Sequence, residues 1–149
     1  GVFDAQLALA AERDLPAIVH SRKAVDQVWS HLRAHAVRAH IHSFAGSEQQ
    51  AKRFVDLGCV LGIGATITFD RAQKLRRVVR AMPLDALCIE TDAPDQPGQG
   101  HQGERHEPAW ITEVVKTIAE VRGESAETIA EATFQNARRF FRLESVNVG

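Results

Sequence analysis

The 149-residue chain lacks a charge excess of either sign: Lys and Arg number 18, Asp and Glu 19, for a formal balance of −1. No global basic field is available to recruit nucleic acid, although a bound metal ion would supply positive charge locally and keeps a nuclease in play. Cysteine is scarce. Cys59 and Cys88 sit in apolar stretches far from any CxxC spacing, which points to reduced, buried thiols in a cytoplasmic protein rather than to disulfides or a structural zinc site. No apolar run reaches the ~18 residues that would span a bilayer, and no secretory leader is evident, so a membrane role is not expected. Internal repeats, low-complexity tracts and interdomain linkers are also missing, and residues 1–149 are expected to form a single domain. What is present, 44% hydrophobic and 25% charged residues, is the composition of a globular chain.

Hydrophobic periodicity supplies the elements. Phe3, Leu7 and Ala10 or Ala11 recur at helical spacing over residues 3–13, and Asp14-Leu15-Pro16 stops the helix. Ala17-Ile18-Val19-His20 reads as a short strand, followed by a helix carrying Val25, Val28, Trp29 and Leu32. Residues 38–44 read as a second strand. Ser47 with Gln50 forms a capping-box pattern that opens a helix, and Gly58 ends it. Residues 59–67 read as a third strand, with Gly62-Ile63-Gly64 near its end. A helix on Leu75, Val78, Val79 and Met82 is stopped by Pro83. Leu87-Cys88-Ile89 then runs as a fourth strand into Glu90-Thr91-Asp92-Ala93-Pro94. A polar stretch from Ala93 to Glu107 is too long for a plain connector and is a candidate active-site loop. Two helices follow, one opened by Pro108 and closed by Gly123, the other starting at Ser125; the last few residues carry no pattern. Strands alternating with helices of this length imply an α/β fold of parallel βα units with right-handed crossovers.

In such folds ligands meet the carboxyl ends of the strands. Here those ends carry His20, His42 and Asp92. Each alone is readily structural, a packed histidine or a turn aspartate. Three potential metal ligands at three equivalent strand ends make a metal site the better expectation, with Zn, Mn, Fe or Co suited to the imidazole and carboxylate donors and Mg possible where carboxylates and water dominate. Strand alternation points Cys88, Glu90 and Asp92 one way, so the two carboxylates need donors or a cation between them. His40, two residues before His42 on the same face, either supports the site from beneath or packs in the core, and packing is the expectation. Arg22 either meets an anionic substrate or faces solvent. Gly62 and Gly64 suggest close approach of a substrate. Arg71, Lys74, Arg76, Arg77 and Arg80 form a basic helix face, read as solvated rather than as a phosphate-steering stripe. His31 and His35 are read as surface histidines, because no acidic base lies between them in the zinc-protease pattern. His101, Arg105 and His106 lie in the long loop, within reach of substrate.

The segments Leu15-Pro16-Ala17-Ile18-Val19-His20-Ser21-Arg22, His42-Ser43-Phe44-Ala45-Gly46-Ser47, Gly62-Ile63-Gly64-Ala65-Thr66-Ile67 and Ile89-Glu90-Thr91-Asp92-Ala93-Pro94 resemble successive motifs of the TatD-type metal-dependent deoxyribonucleases. The resemblance implies a TIM-type (β/α)8 barrel related to the amidohydrolases, with two divalent metal ions (Mg, Mn or Zn) at the strand ends. It implies that His20 and His42 ligate one metal, that Asp92 ligates the other and helps activate water, and that Glu90 supports the ligands. Arg22, Arg105 and His106 would contact substrate, although His106 stands where the family commonly has asparagine. The family's first-strand H-x-H pair and fourth-strand glutamate have no counterpart here, so the chain looks like the C-terminal half of the barrel. The expected function is phosphodiester hydrolysis in DNA, partnered by an N-terminal barrel half or by self-association. Amide, ester or lactone hydrolysis on the same metal site is the alternative, as is an incomplete fragment that only binds metal or a partner half.

Overall fold

Short apolar strands separated by amphipathic helices can bury both partners only if each helix crosses back over the sheet it left. A computed structural model, which describes residues 1–143, has this arrangement. The order is α1 (Val2–Glu12), β1 (Ala17–His20), α2 (Val25–Arg33), β2 (Ala39–His42), α3 (Glu48–Asp56), β3 (Val60–Ile63), α4 (Gln73–Ala81), β4 (Leu87–Ile89), α5 (Ile111–Arg122) and α6 (Ala126–Phe141). The strands pair in parallel in the order β1-β2-β3-β4, with His20 level with His42, Ile41 with Leu61 and Gly62 with Cys88. Residues 144–149, where the sequence carries no pattern, lie outside the described residues.

The two sheet faces differ in chemistry. Val19, Ala39, Ile41, Leu61, Ile63 and Leu87 belong to the buried hydrophobic core, which includes Leu7, Phe54, Val78 and Ile118 of the helices. The opposite face carries Ile18, His20, His40, His42, Gly62, Cys88 and Glu90, by the alternation of side chains along a strand. At β1 this second face is open, Ile18 being 57% exposed and His20 exposed as well. The polar face is the one on which a site can be built.

Local chemistry explains the boundaries. Ser47 Oγ accepts from Gln50 N at 3.2 Å while Ser47 N donates to Gln50 Oε1 at 2.9 Å, the reciprocal pair expected of a capping box. Gly123 ends α5 in the left-handed region at φ 70. Arg122 extends from the end of α5 to donate to the Val79 and Met82 carbonyls, satisfying the C-terminus of α4. Asn136 of α6 is buried and donates to Leu84 O and Leu87 O, both at 2.8 Å, which fixes α6 to the start of β4.

The expected third strand over residues 59–67 is too long. Pairing stops at Ile63, and Ala65–Thr68 turns into a 3₁₀ helix in which Thr68 Oγ1 donates to Ala65 O at 2.6 Å. A threonine bonding its own preceding turn competes with the sheet ladder. The same hydroxyl accepts from Gln99 N at 2.8 Å, so this turn also anchors the 93–107 loop. Gln99 adds two bonds to Asp70, one to its backbone N–H and one to its carboxylate. The second strand is likewise shorter than expected, Ala39–His42 rather than 38–44.

Candidate metal centre

The polar ends of β1, β2 and β4 converge. His20 and His42 end adjacent parallel strands at the same level, and their rings meet edge to face with centroids 4.5 Å apart. Glu90 follows β4 directly, its backbone N–H donating to Ile63 O at 3.1 Å. That bond aims the Glu90 carboxylate across β3 toward β2. His42 is bracketed: Nδ1 lies 3.0 Å from Glu90 Oε2, and Nε2 lies 2.9 Å from Asp92 Oδ1. A neutral imidazole carries one N–H and so can donate to only one of these carboxylates. Both approaches are favourable together only if the ring is a cation or a cation stands in for one of its protons.

Ser43 supplies what the paired carboxylates otherwise lack. Its backbone N–H donates to Glu90 Oε1 at 2.5 Å, and its hydroxyl stands 3.2 Å from both Glu90 Oε1 and Asp92 Oδ2. Ser43 takes φ 46 to reach this position, just past the end of β2. Nothing in the local sequence marks it, because its partners lie 47 and 49 residues away.

Beneath these groups His40 is buried, with Nε2 3.3 Å from Glu90 Oε2 and Nδ1 without a partner among the described residues. Burial drives its pKa down from the ordinary histidine value, against the opposing pull of Glu90. His40 is buried, as packing requires, and it also meets Glu90, as a group supporting the site would. Gly62 explains the fit. A Cβ there would stand 2.4 Å from Glu90 Oε2 and 2.6 Å from His40 Cε1, so the missing side chain makes room for these two protein groups rather than for substrate. Cys88, on the same face, is a buried free thiol pushed up to about 11 by burial and by Glu90. Burial pushes the Cys59 thiol up to about 12. Neither is a thiolate nucleophile at neutral pH.

The remaining expected residues separate. Arg22 and Arg105 are exposed, and Arg105 lines a hollow of about 310 Å³ with His106, Ala93 and Pro94. His106 itself is 2% exposed; Nδ1 donates to Asp95 O at 2.7 Å and its backbone N–H to Pro94 O at 2.9 Å. Its side chain closes the loop on itself instead of reaching outward. His101 stacks on Trp110 at 3.8 Å between Glu104 and Glu113, whose carboxylates raise its pKa. His31 and His35 are not free surface rings: both face Asp4 Oδ1, at 2.6 and 3.3 Å, and hold that carboxyl well below its usual range, the His31 bond first.

Imidazole nitrogen and carboxylate oxygen suit a divalent transition metal. The donor chemistry at His20, His42, Glu90 and Asp92 therefore fits such an ion, and the doubly bracketed His42 is where a cation would relieve a proton deficit. The donor number is short: among the described residues no group of three His, Cys, Asp or Glu is arranged to hold a metal.

A family model described as TatD related DNase matches residues 1–142. The chain belongs to this family. Among TatD-family relatives, an uncharacterized metal-dependent hydrolase of Haemophilus influenzae is 45% identical over 141 residues, covering 93% of this chain and 54% of the relative. A 3'-5' ssDNA/RNA exonuclease TatD of Pectobacterium carotovorum is 35% identical over 151 residues, covering 95% of this chain and 57% of the relative. The crystal structure of YjjV, a TatD homologue from Escherichia coli, superposes with a TM-score of 0.88 at 44% identity, covering 93% of this chain and 54% of that one. The chain thus has a TIM-like α/β fold and spans about half the length of the curated relatives it matches. Among the described residues no helix is long and apolar enough to cross a membrane.

Proposed function

We propose that the chain carries one side of a divalent-metal centre that hydrolyses phosphodiester bonds in DNA, and that it corresponds to the C-terminal half of a TIM-type barrel. The observation that carries this reading is His42, held with its two ring nitrogens 3.0 and 2.9 Å from the carboxylates of Glu90 and Asp92. A divalent ion at such a site supplies positive charge that acidifies water and offsets charge developing on phosphate. His20, His42 and Asp92 would hold ions there. Asp92, 23% exposed and partly fixed by Ser43, would orient the attacking water and accept its proton. Glu90 would hold the His42 ring in position through Nδ1. Family relatives named as metal-dependent hydrolases and as a nucleic-acid exonuclease support the class of reaction.

The full ligand set would be completed by a barrel segment outside this chain. The open face and edge at β1, with Ile18 57% exposed, would be covered by that segment or by a second copy. Buried free thiols fit a reducing, cytoplasmic setting. A second reading is a piece without turnover of its own that only binds metal or a partner half, for which the open β1 face would serve as the docking side.

The experiment is a hydrolysis assay on 3′-labelled single-stranded DNA with Mn, Mg or Zn, run beside ester and lactone substrates. The chain is tested alone and mixed with the complementary barrel segment of a relative. DNA cleavage by the mixture, abolished by chelation, is expected. Cleavage of only the ester or lactone would replace the nuclease reading. No turnover by the mixture, with the segments demonstrably associated, would leave the non-catalytic reading.

A further inference from the structure

The basic residues from Arg71 to Arg80 do not form one helix face: Arg71 lies in the turn before α4, which begins at Gln73, and only the other four are on the helix. Arg76 donates to the Ile67 and Thr68 carbonyls, Arg80 to Val121 O, and Arg77 pairs with Glu48 at 3.6 Å. Arg71 and Lys74 alone of the five line a cavity of about 200 Å³, shared with Ser43 and Asp92 of the centre described above. Phe44, Ala65 and Leu75 give that cavity an apolar wall. Lys74 Nζ bonds Ala45 O at 3.2 Å, leaving two of its three donors free. The Arg71 guanidinium lies 4.3 Å over the Phe69 ring, and none of its five donors is hydrogen-bonded among the described residues. Two cations with unused donors beside an apolar wall match an anion attached to a flat, weakly polar body. The volume is below that of an ordinary drug-sized pocket, which limits the occupant to one small unit.

We infer that this cavity is a phosphate subsite: Arg71 and Lys74 bind the phosphate of a single nucleotide unit whose sugar and base lie against Phe44, Ala65 and Leu75. The choice of a nucleotide rests on the hydrolase reading above, whereas the anion preference rests on the cavity itself. Asp92 is the one carboxylate in the lining, against the two cations Arg71 and Lys74, and its oxygens face His42 Nε2 at 2.9 Å and the Ser43 hydroxyl at 3.2 Å. All the lining residues fall between Ser43 and Gln96, so the inference is testable on this chain by itself.

The test uses the chain with metal chelated, which separates binding from hydrolysis. Thymidine 5′-monophosphate and thymidine are titrated by calorimetry into wild type, Arg71→Ala, Lys74→Ala and Arg77→Ala. The monophosphate is expected to bind at least tenfold more tightly than thymidine. Arg71→Ala and Lys74→Ala are each expected to weaken it about tenfold, the size of one charge-assisted hydrogen bond. Arg77→Ala removes the same charge from the same basic stretch and should change affinity less than twofold. Equal losses in all three variants would mean diffuse attraction and overturn the subsite, as would unchanged affinity in Arg71→Ala and Lys74→Ala. Equal binding of thymidine and its monophosphate would also overturn it. A subsite that behaves as stated in a protein that never cleaves DNA would leave this inference standing and remove the hydrolase reading.

Discussion

Gly62→Ala is the smallest change that reaches the centre of the site without touching any proposed ligand. The added Cβ would stand 2.4 Å from Glu90 Oε2, 2.7 Å from Glu90 Cδ and 2.6 Å from His40 Cε1, so both side chains must move. His40 is buried and Glu90 is held by Ser43 N at 2.5 Å and His42 Nδ1 at 3.0 Å, which leaves little slack. Overpacking a filled interior costs about 1–3 kcal/mol, and displacing a carboxylate from a charge-assisted bond about 1.5–3 kcal/mol. Against these, alanine gains about 0.4–1 kcal/mol from a less free unfolded chain. The expected loss is about 1.5–5.5 kcal/mol, a large share of the roughly 5–15 kcal/mol that holds a domain together. Urea unfolding followed by circular dichroism measures it. Gly64→Ala is the control, because its Cβ would come no closer than 3.8 Å to Glu90, and its cost should stay within about 0.5 kcal/mol. In the Glu90→Ala background the Gly62→Ala cost should shrink by about 1–2 kcal/mol, since one of its two clashes is gone. Equal effects of the two glycine changes, or no coupling to Glu90, would refute the packing account.

His101 has a pKa raised by Glu113 and Glu104, so its contribution to holding the loop is fully present below about pH 6.5 and is lost as pH rises through its higher folded value. Hydrogen exchange over residues 98–110, corrected for intrinsic rates, should therefore show more protection at pH 6 than at pH 9, and His101→Ala should erase that difference. Asn136→Ala strips the Leu84 and Leu87 carbonyls of a buried donor and should cost about 2–4 kcal/mol in urea unfolding; a cost below about 1 kcal/mol would mean that α6 is not fixed through these bonds.

The sequence was most legible where a single local rule decides. Strand starts expected near residues 17, 38 and 59 fall at Ala17, Ala39 and Val60, because apolar runs and helix stops bracket them from both sides. The end of β3 was not legible, since Ala65 to Ile67 are apolar enough for a strand and only the Thr68 hydroxyl bond pulls them into a turn. Strand-end chemistry brought His20, His42 and Asp92 into view, and the structure gathers them with Glu90. Ser43 and the true role of Gly62 were hidden, because each depends on Glu90 arriving from a strand whose register the sequence does not state. The basic helix face divided in the same way: distant carbonyls and Glu48, not helical spacing, decide which cations are occupied and which line the cavity.

Whether His42 and Asp92 belong to a divalent-metal centre is decided by equilibrium titration of the chain with Mn. Asp92→Asn keeps the shape of the side chain but removes its charge, and His42→Ala removes the bracketed ring, with circular dichroism reporting that each variant stays folded. Wild type is expected to bind Mn weakly and saturably, and each variant to bind at least tenfold more weakly. Binding that is unchanged in both folded variants would contradict the account.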